Sequence, residues 1–152
     1  MSNYQFKFNK DMCFQCHACE MACKQWRGTK DPIKFRKVIA VEKGSFPDVD
    51  VKYISRSCMH CANPKCAEAC PVDAITKRED GIVVVDKNVC VGCQACAEAC
   101  PIDIPQFDEY GKMVKCDMCV DVQPQEQRFP CARHCPTKAL GVTDGNDFTI
   151  NI

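Results

Sequence analysis

The sequence predicts an α+β fold made of two interlocked modules of short helices and β-hairpins. Three observations lead there. Sixteen cysteines in 152 residues fall into four groups of four. The groups are related in pairs by internal repetition. Short strand-like segments and turn signals separate them, with no long amphipathic helix between. Cysteine makes up just over a tenth of the chain, which points to a scaffold held by covalent or metal bonds rather than by an ordinary apolar core.

In chain order, YQFKF (4–8) alternates apolar and polar residues as a half-buried strand does. Group one, CFQCHACEMAC, carries Cys13, Cys16, Cys19 and Cys23. A 34-residue connection, 24–57, contains the turn signals GTKDP and KGSFPD; it is too short for an independent domain and discloses no function. Group two, CMHCANPKCAEACP, carries Cys58, Cys61, Cys66 and Cys70. EDGIVVVD then reads as a turn into a strand. Group three, CVGCQACAEACP, carries Cys90, Cys93, Cys96 and Cys100. Group four has Cys116 and Cys119, an eleven-residue gap, then Cys131 and Cys135. TDGNDFTINI (143–152) repeats the turn-and-strand plan at the C-terminus.

Groups one and three share the C-x₂-C-x₂-C-x₃-C run of bacterial iron–sulfur proteins, and group three has the closing proline as well. Two-residue gaps let one tight loop wrap a cubane with three thiolates while its N–H groups face the sulfurs. The fourth cysteine lies a helical turn further on, facing away from that loop, so it can serve a neighbouring cluster. The proline behind it cannot continue the helix and redirects the chain.

CAEACPVDAI (66–75) recurs as CAEACPIDIP (96–105), which marks groups two and three as one duplicated unit. VVVDKNVC leads into group three as FKFNKDMC leads into group one, so group one copies group three. CPVDAITKREDGIVVVD and CPTKALGVTDGNDFTIN follow groups two and four on one plan, so group four is a stretched copy of group two. Groups two and three then form a compact unit (58–105), inserted between the halves of another (1–23 with 106–152). Each module then resembles a bacterial-type ferredoxin and is expected to hold two 4Fe-4S clusters. Exchanging the fourth cysteine within each module assigns all sixteen ligands. One cluster takes Cys58, Cys61, Cys66 and Cys100; its neighbour takes Cys90, Cys93, Cys96 and Cys70. A third takes Cys13, Cys16, Cys19 and Cys135; the last takes Cys116, Cys119, Cys131 and Cys23.

Group four in isolation also fits a Cys₄ zinc site. Its context favours a cluster, because a zinc site using all four of its cysteines would force group one to keep Cys23. His17, His60 and His134 sit inside cysteine groups, but each cluster already has four thiolates, so packing or an N–H contact to sulfur is the expected role, with tuning of potential as its functional form. Trp26 reads as a packing residue or interface anchor. The charges of TKREDG and DEYGK read as solvated turns.

Formal charge is zero, and no basic footprint for nucleic acid appears. With sixteen thiolates on four cubane cores of +2, the oxidised chain would carry about −8. No apolar run reaches the roughly twenty residues of a membrane helix, and MSNYQFKFNKDMC has neither a secretory pattern nor a twin arginine. The expectation is a cytoplasmic chain without direct membrane insertion, exported only if a partner carries the signal. No Ser/His/Asp set, phosphate-binding glycine loop or open metal site is recognisable, so no catalytic residue is expected.

The four groups in this order, the ACKQW ending of group one and the split group four ending CARHCPTKAL resemble the four-cluster ferredoxin-like subunits of molybdenum and tungsten oxidoreductases, of the dimethyl sulfoxide reductase, formate dehydrogenase and tungsten aldehyde oxidoreductase type. The resemblance implies the same pairing of group one with four and two with three. It further implies a large molybdopterin- or tungstopterin-containing catalytic subunit as partner, with a further redox subunit or copies of this chain as other candidates. A free polyferredoxin or a hydrogenase-complex carrier is the alternative, and a zinc-stapled interaction protein is the third class. The ligand exchange predicts that Cys135→Ser perturbs the cluster of the N-terminal loop more than that of Cys116; electron paramagnetic resonance showing damage confined to the Cys116 cluster would contradict it.

Overall fold

A computed structural model describes residues 4–122 and 128–143. In chain order, β1 (Gln5–Phe8), a 3-10 turn (Lys10–Met12) and α1 (Ala18–Arg27) frame group one. The connection folds as β2 (Arg36–Ser45) and β3 (Asp48–Ser57). Group two is carried by α2 (Lys65–Glu68), followed by β4 (Ile75–Lys77) and β5 (Val83–Val85). Group three follows on α3 (Ala95–Ala99), with β6 (Gln106–Phe107) and β7 (Met113–Val114) behind it. Group four ends on α4 (Pro130–Arg133) and β8 (Leu140–Thr143). The α+β class is therefore as expected. Part of the eleven-residue gap and all but Thr143 of TDGNDFTINI lie outside the described residues, and with them the strand expected there.

Helix length follows the prolines. Pro71, Pro101 and Pro136 stand directly behind Cys70, Cys100 and Cys135 and stop their helices. Lys24 stands behind Cys23 instead, so α1 runs on to Gly28, whose left-handed backbone (φ 58°) lets its N–H cap the Lys24 carbonyl.

The described strands pair as four two-stranded antiparallel ribbons. Three are hairpins between neighbours: β2 with β3, β4 with β5, and β6 with β7. The fourth joins the two ends of the chain. β1 lies against β8 from Gln5↔Thr143 to Phe8↔Leu140, and the Asn9 N–H extends the contact to the Ala139 carbonyl at 2.7 Å. α1 packs on α4 beside this ribbon, and Arg27 of α1 holds Asp117 of group four at 2.8 Å.

The 34-residue connection is a long hairpin, paired from Arg36↔Ser57 out to Ser45↔Asp48. Its foot (Arg36, Val38, Ser55, Ser57) is buried, while its tip stands in solvent with Phe46 exposed.

Two buried clusters form the interior. One combines Cys19, Cys23, Cys58, Cys116, Cys131 and Cys135 with Ile82, Met118, Phe129, Leu140 and Val142. The other combines Cys90 and Cys96 with Ala74, Ile75, Val83 and Met113. Cysteine occupies positions that aliphatic residues fill in ordinary cores.

Gly92 has φ 72°, and a Cβ there would press into the Gly111 carbonyl oxygen; Gly28 has φ 58° with open space around it. Gly28→Ala should cost about 1–2 kcal/mol for the left-handed backbone. Gly92→Ala should cost more, because backbone must also move. Thermal unfolding midpoints of the two variants check the order.

Candidate functional site

The cysteine loops share a backbone device. The second residue of the first C-x₂-C gap is left-handed in every group: Gln15 (φ 61°), His60 (48°), Gly92 (72°) and Met118 (55°). Such a step turns successive N–H groups to one side and forms the anion-binding nest used at iron–sulfur and phosphate sites. The Met118 N–H accordingly points to Cys116 Sγ at 3.5 Å. From the neighbouring hairpin, the Met113 N–H points to Cys90 Sγ at 3.4 Å.

Two more positions repeat. His17 (58°), Gln94 (65°) and Phe129 (60°) are left-handed two residues before the third cysteine. Group two has Pro64 there at φ −78°, since a proline ring cannot turn positive. After the fourth cysteine, Asp73, Asp103 and Lys138 are left-handed, and each donates its N–H to the carbonyl of the cysteine three residues back, at 3.5, 3.3 and 3.2 Å. The repeats visible in sequence are thus repeats of backbone conformation.

One cavity, about 130 Å³ in volume, is lined by Cys58, Cys61, Cys66 and Cys100, with Ile102, Ile104 and Lys115 among its walls. A second is lined by Cys70, Cys90, Cys93 and Cys96, with Ile75, Phe107 and Met113. In each, three cysteines come from one group and the fourth from the other. Around α1 and α4, Cys23 lies within electrostatic reach of Cys131, Cys116 and Cys119, and Cys19 within reach of Cys131 and Cys135. Cys13 borders the same core, while Cys16 is exposed, as are Cys61 and Cys93. All four cysteines of group four are buried.

Burial governs the thiols. It pushes Cys116 and Cys119 up to about 12, Cys96 up to about 11 and Cys23 still higher. Cys135 moves the other way: burial would raise it, but N–H groups at the start of β8 and the Thr137 hydroxyl bring it below the ordinary thiol value. Protonated thiols of this kind must lose their protons when they bind metal.

Two cationic side chains that the sequence did not single out lie near these sulfurs, and a buried carboxylate stands on the helix beside them. Arg36, at the foot of β2, is fully buried against Cys131, Cys116, Cys19 and Cys23. Lys115 is buried at the wall of the first cavity, its ammonium donating to the Val83 and Cys116 carbonyls. Glu20, next to Cys19, is buried on α1 and accepts from Lys34, from the Val38 N–H at 3.0 Å and from His17 Nδ1 at 3.1 Å. One sequence signal did mark Glu20: the residue after the third cysteine is Ala67, Ala97 and Ala132 in the other groups.

The histidines differ from one another. His134 Nδ1 donates to the Pro130 carbonyl at 2.8 Å, a packing role. His60 Nδ1 accepts the Val83 N–H at 3.0 Å, which places its proton on Nε2, a buried donor with no partner among the described residues. Burial, and then the Lys115 charge, lower its pKa to about 3, so the ring is neutral.

These features fit iron–sulfur clusters. The candidate ligands are cysteine sulfurs, the walls between them are apolar, and the guanidinium of Arg36, with its Nη2 buried and unpartnered among the described residues, lies close to Cys131, Cys116, Cys19 and Cys23. Among the described residues no three His, Cys, Asp or Glu side chains converge as the ligands of a single metal ion do, group four included. Repeated cysteine loops with left-handed backbone nests and apolar walls between them define an iron–sulfur protein. It belongs to the 4Fe-4S dicluster domain family, matched over residues 49–145.

Relatives cover most of the sequence. A component of the anaerobic dimethyl sulfoxide reductase of Escherichia coli (strain K12) is 38% identical over 91% of this chain and 72% of its own length. The formate dehydrogenase iron-sulfur subunit of Wolinella succinogenes is 33% identical over 97% of this chain and 84% of its own length. A sulfite dehydrogenase subunit of Allochromatium vinosum is 31% identical over 97% and 71%. The cofactor is the 4Fe-4S cluster, and the protein is a non-catalytic electron-transfer subunit of the oxidoreductase type.

Burial alone would raise Glu20, yet Lys34, the Val38 N–H and His17 together bring it below the ordinary carboxylate value. Its contribution is therefore complete above that ordinary value and is lost as pH falls through the lower folded one. Glu20→Gln should cost about 1.5–3 kcal/mol at pH 7, with the difference shrinking toward pH ~4; denaturant unfolding at the two pH values checks this.

Proposed function

We propose that the chain holds four 4Fe-4S clusters and relays single electrons between the active site of a molybdenum or tungsten oxidoreductase and another redox carrier or subunit. The carrying observation is the composition of the two cavities, each with three cysteines of one group and the fourth of its neighbour. On this reading Cys58, Cys61, Cys66 and Cys100 hold one cluster, and Cys90, Cys93, Cys96 and Cys70 hold the next. Cys116, Cys119, Cys131 and Cys23 hold a third, supported by the reach of Cys23 to all three of the others. Cys13, Cys16, Cys19 and Cys135 hold the fourth, supported by the approach of Cys19 to Cys135.

The β1–β8 ribbon supports an outer module of 1–23 with 106–152 around an inserted one, 58–105. Cys19 lies within electrostatic reach of Cys131, Cys116 of Cys58, and Cys66 of Cys96, which supports an arrangement of the four sets in a row. When bound, each cluster supplies a one-electron couple whose potential depends on burial, charge and hydrogen bonds to sulfur. The cysteines fix the spacing, the nests solvate the sulfurs with N–H groups, and the apolar walls keep water out.

A catalytic partner is supported by the relatives, whose names place them in dimethyl sulfoxide reductase and formate dehydrogenase. The residue after the first cysteine is apolar and exposed in three groups, namely Phe14 (57%), Met59 (63%) and Val91 (62%), and Trp26 stands 45% exposed at the end of α1. Each offers an apolar contact beside a cysteine loop. No helix among the described residues is long and apolar enough to cross a membrane. A cytoplasmic place of work, or export on a partner's signal, fits this reading.

Metal and sulfide analysis of anaerobically purified protein should give about sixteen irons and sixteen sulfides per chain with negligible zinc. Mild purification should retain a large pterin-containing subunit. About eight irons, or stoichiometric zinc, would overturn the four-cluster reading; recovery without any large partner would favour a free polyferredoxin.

A further inference from the structure

The connection 24–57 gives the sequence no legible function, yet its hairpin delivers one charged group into the interior. Arg36 is 2% exposed at the first residue of β2. Its guanidinium carbon lies 4.3 Å from the centroid of the Phe6 ring, so β1 supports it from one side. On the other side Nη1 donates to Ser55 Oγ at 3.0 Å, and that hydroxyl is 3.5 Å from Cys19 Sγ. Among the described residues Nη2 is buried with no acceptor, and no carboxylate forms an ion pair with Arg36.

A buried, unpaired guanidinium is costly to retain. It becomes favourable once the surrounding sulfurs are thiolates. Cys131, Cys116, Cys19 and Cys23, drawn from groups one and four together, are the groups that face it. We propose that Arg36 is the resident counter-cation of the group-one and group-four sulfurs, and that its fixed charge sets their reduction potentials upward. The inference rests on the four-cluster reading.

The direction follows from charge. Four thiolates on a +2 core give −2, and uptake of one electron from a mediator gives −3, so a buried cation stabilises the reduced form more than the oxidised one. Ser55 extends the same influence to Cys19 as a hydrogen bond, a recognised lever on potential. The cavity of Cys70, Cys90, Cys93 and Cys96 has no Arg36 wall and provides an internal reference.

The test is a mediator titration of the anaerobically purified full chain, followed by electron paramagnetic resonance, for wild type, Arg36→Met, Arg36→Gln and Arg36→Lys. Removing the charge should disfavour reduction tenfold or more in at least one transition, a fall of about 59 mV for a one-electron couple, while the lowest-affected transition stays in place. Arg36→Lys should stay close to wild type. If Met and Gln variants lose iron that the Lys variant keeps, the charge is needed even to hold the sulfurs together, which supports the role. Unchanged potentials in Met and Gln, an equal shift in Lys, or equal iron loss in all three would overturn it. Wild-type iron content separates the two readings: fewer than about sixteen irons is a failure of the four-cluster reading, whatever Arg36 does.

Discussion

Sulfur that must become negative is buried here in a small body, and most of the architecture answers that constraint. Desolvation lifts the thiols of Cys23, Cys96, Cys116 and Cys119 well above their ordinary value, so a protein of neutral formal charge has to stabilise thiolates with what it can bring close. Backbone does this at the left-handed steps of the four loops. Side chains do it at Arg36 and Lys115, which would be anomalous in an apolar core and are intelligible beside thiolates. Removing the sulfurs' charge would leave those cations as liabilities.

The features that were legible in sequence are those written in spacing. Cysteine gaps, prolines and the CAEACP repeat anticipate loops, helix stops and equivalent turns, because each depends on a residue type at a fixed offset. YQFKF anticipates β1 through its alternation, and the pairing of groups one and four anticipates where β1 would find a partner. The β2–β3 hairpin was not legible. Val49, Val51 and Tyr53 do alternate with Asp48, Asp50 and Lys52, but Val49 and Val51 are exposed on that face, and only the foot of the hairpin is buried.

Charged residues were the least legible part of the site. Lys115 precedes a cysteine just as an exposed lysine could, and nothing local says that its ammonium turns inward to the Val83 carbonyl. Arg36 acts at residues far from it in the chain. Glu20 was the exception in principle, since three sister positions hold alanine and a departure from an internal repeat carries information. His60 shows the converse case: its place within a cysteine group was visible, but the direction of its free N–H depended on the Val83 N–H across the fold.

The ribbon that joins the two ends of the chain also sets a timetable. Phe6 cannot meet Val142 until Val142 has been made, so the N-terminal strand waits through nearly the whole of synthesis for its partner. The segment 58–114 faces no such delay, since its hairpins close between neighbours. For that interval the thiols of Cys13, Cys16, Cys19 and Cys23 have no finished interior to enter. A growing chain therefore presents its oldest cysteines to the cell longest, and any oxidant or stray metal acts first on the half of the molecule that is completed last.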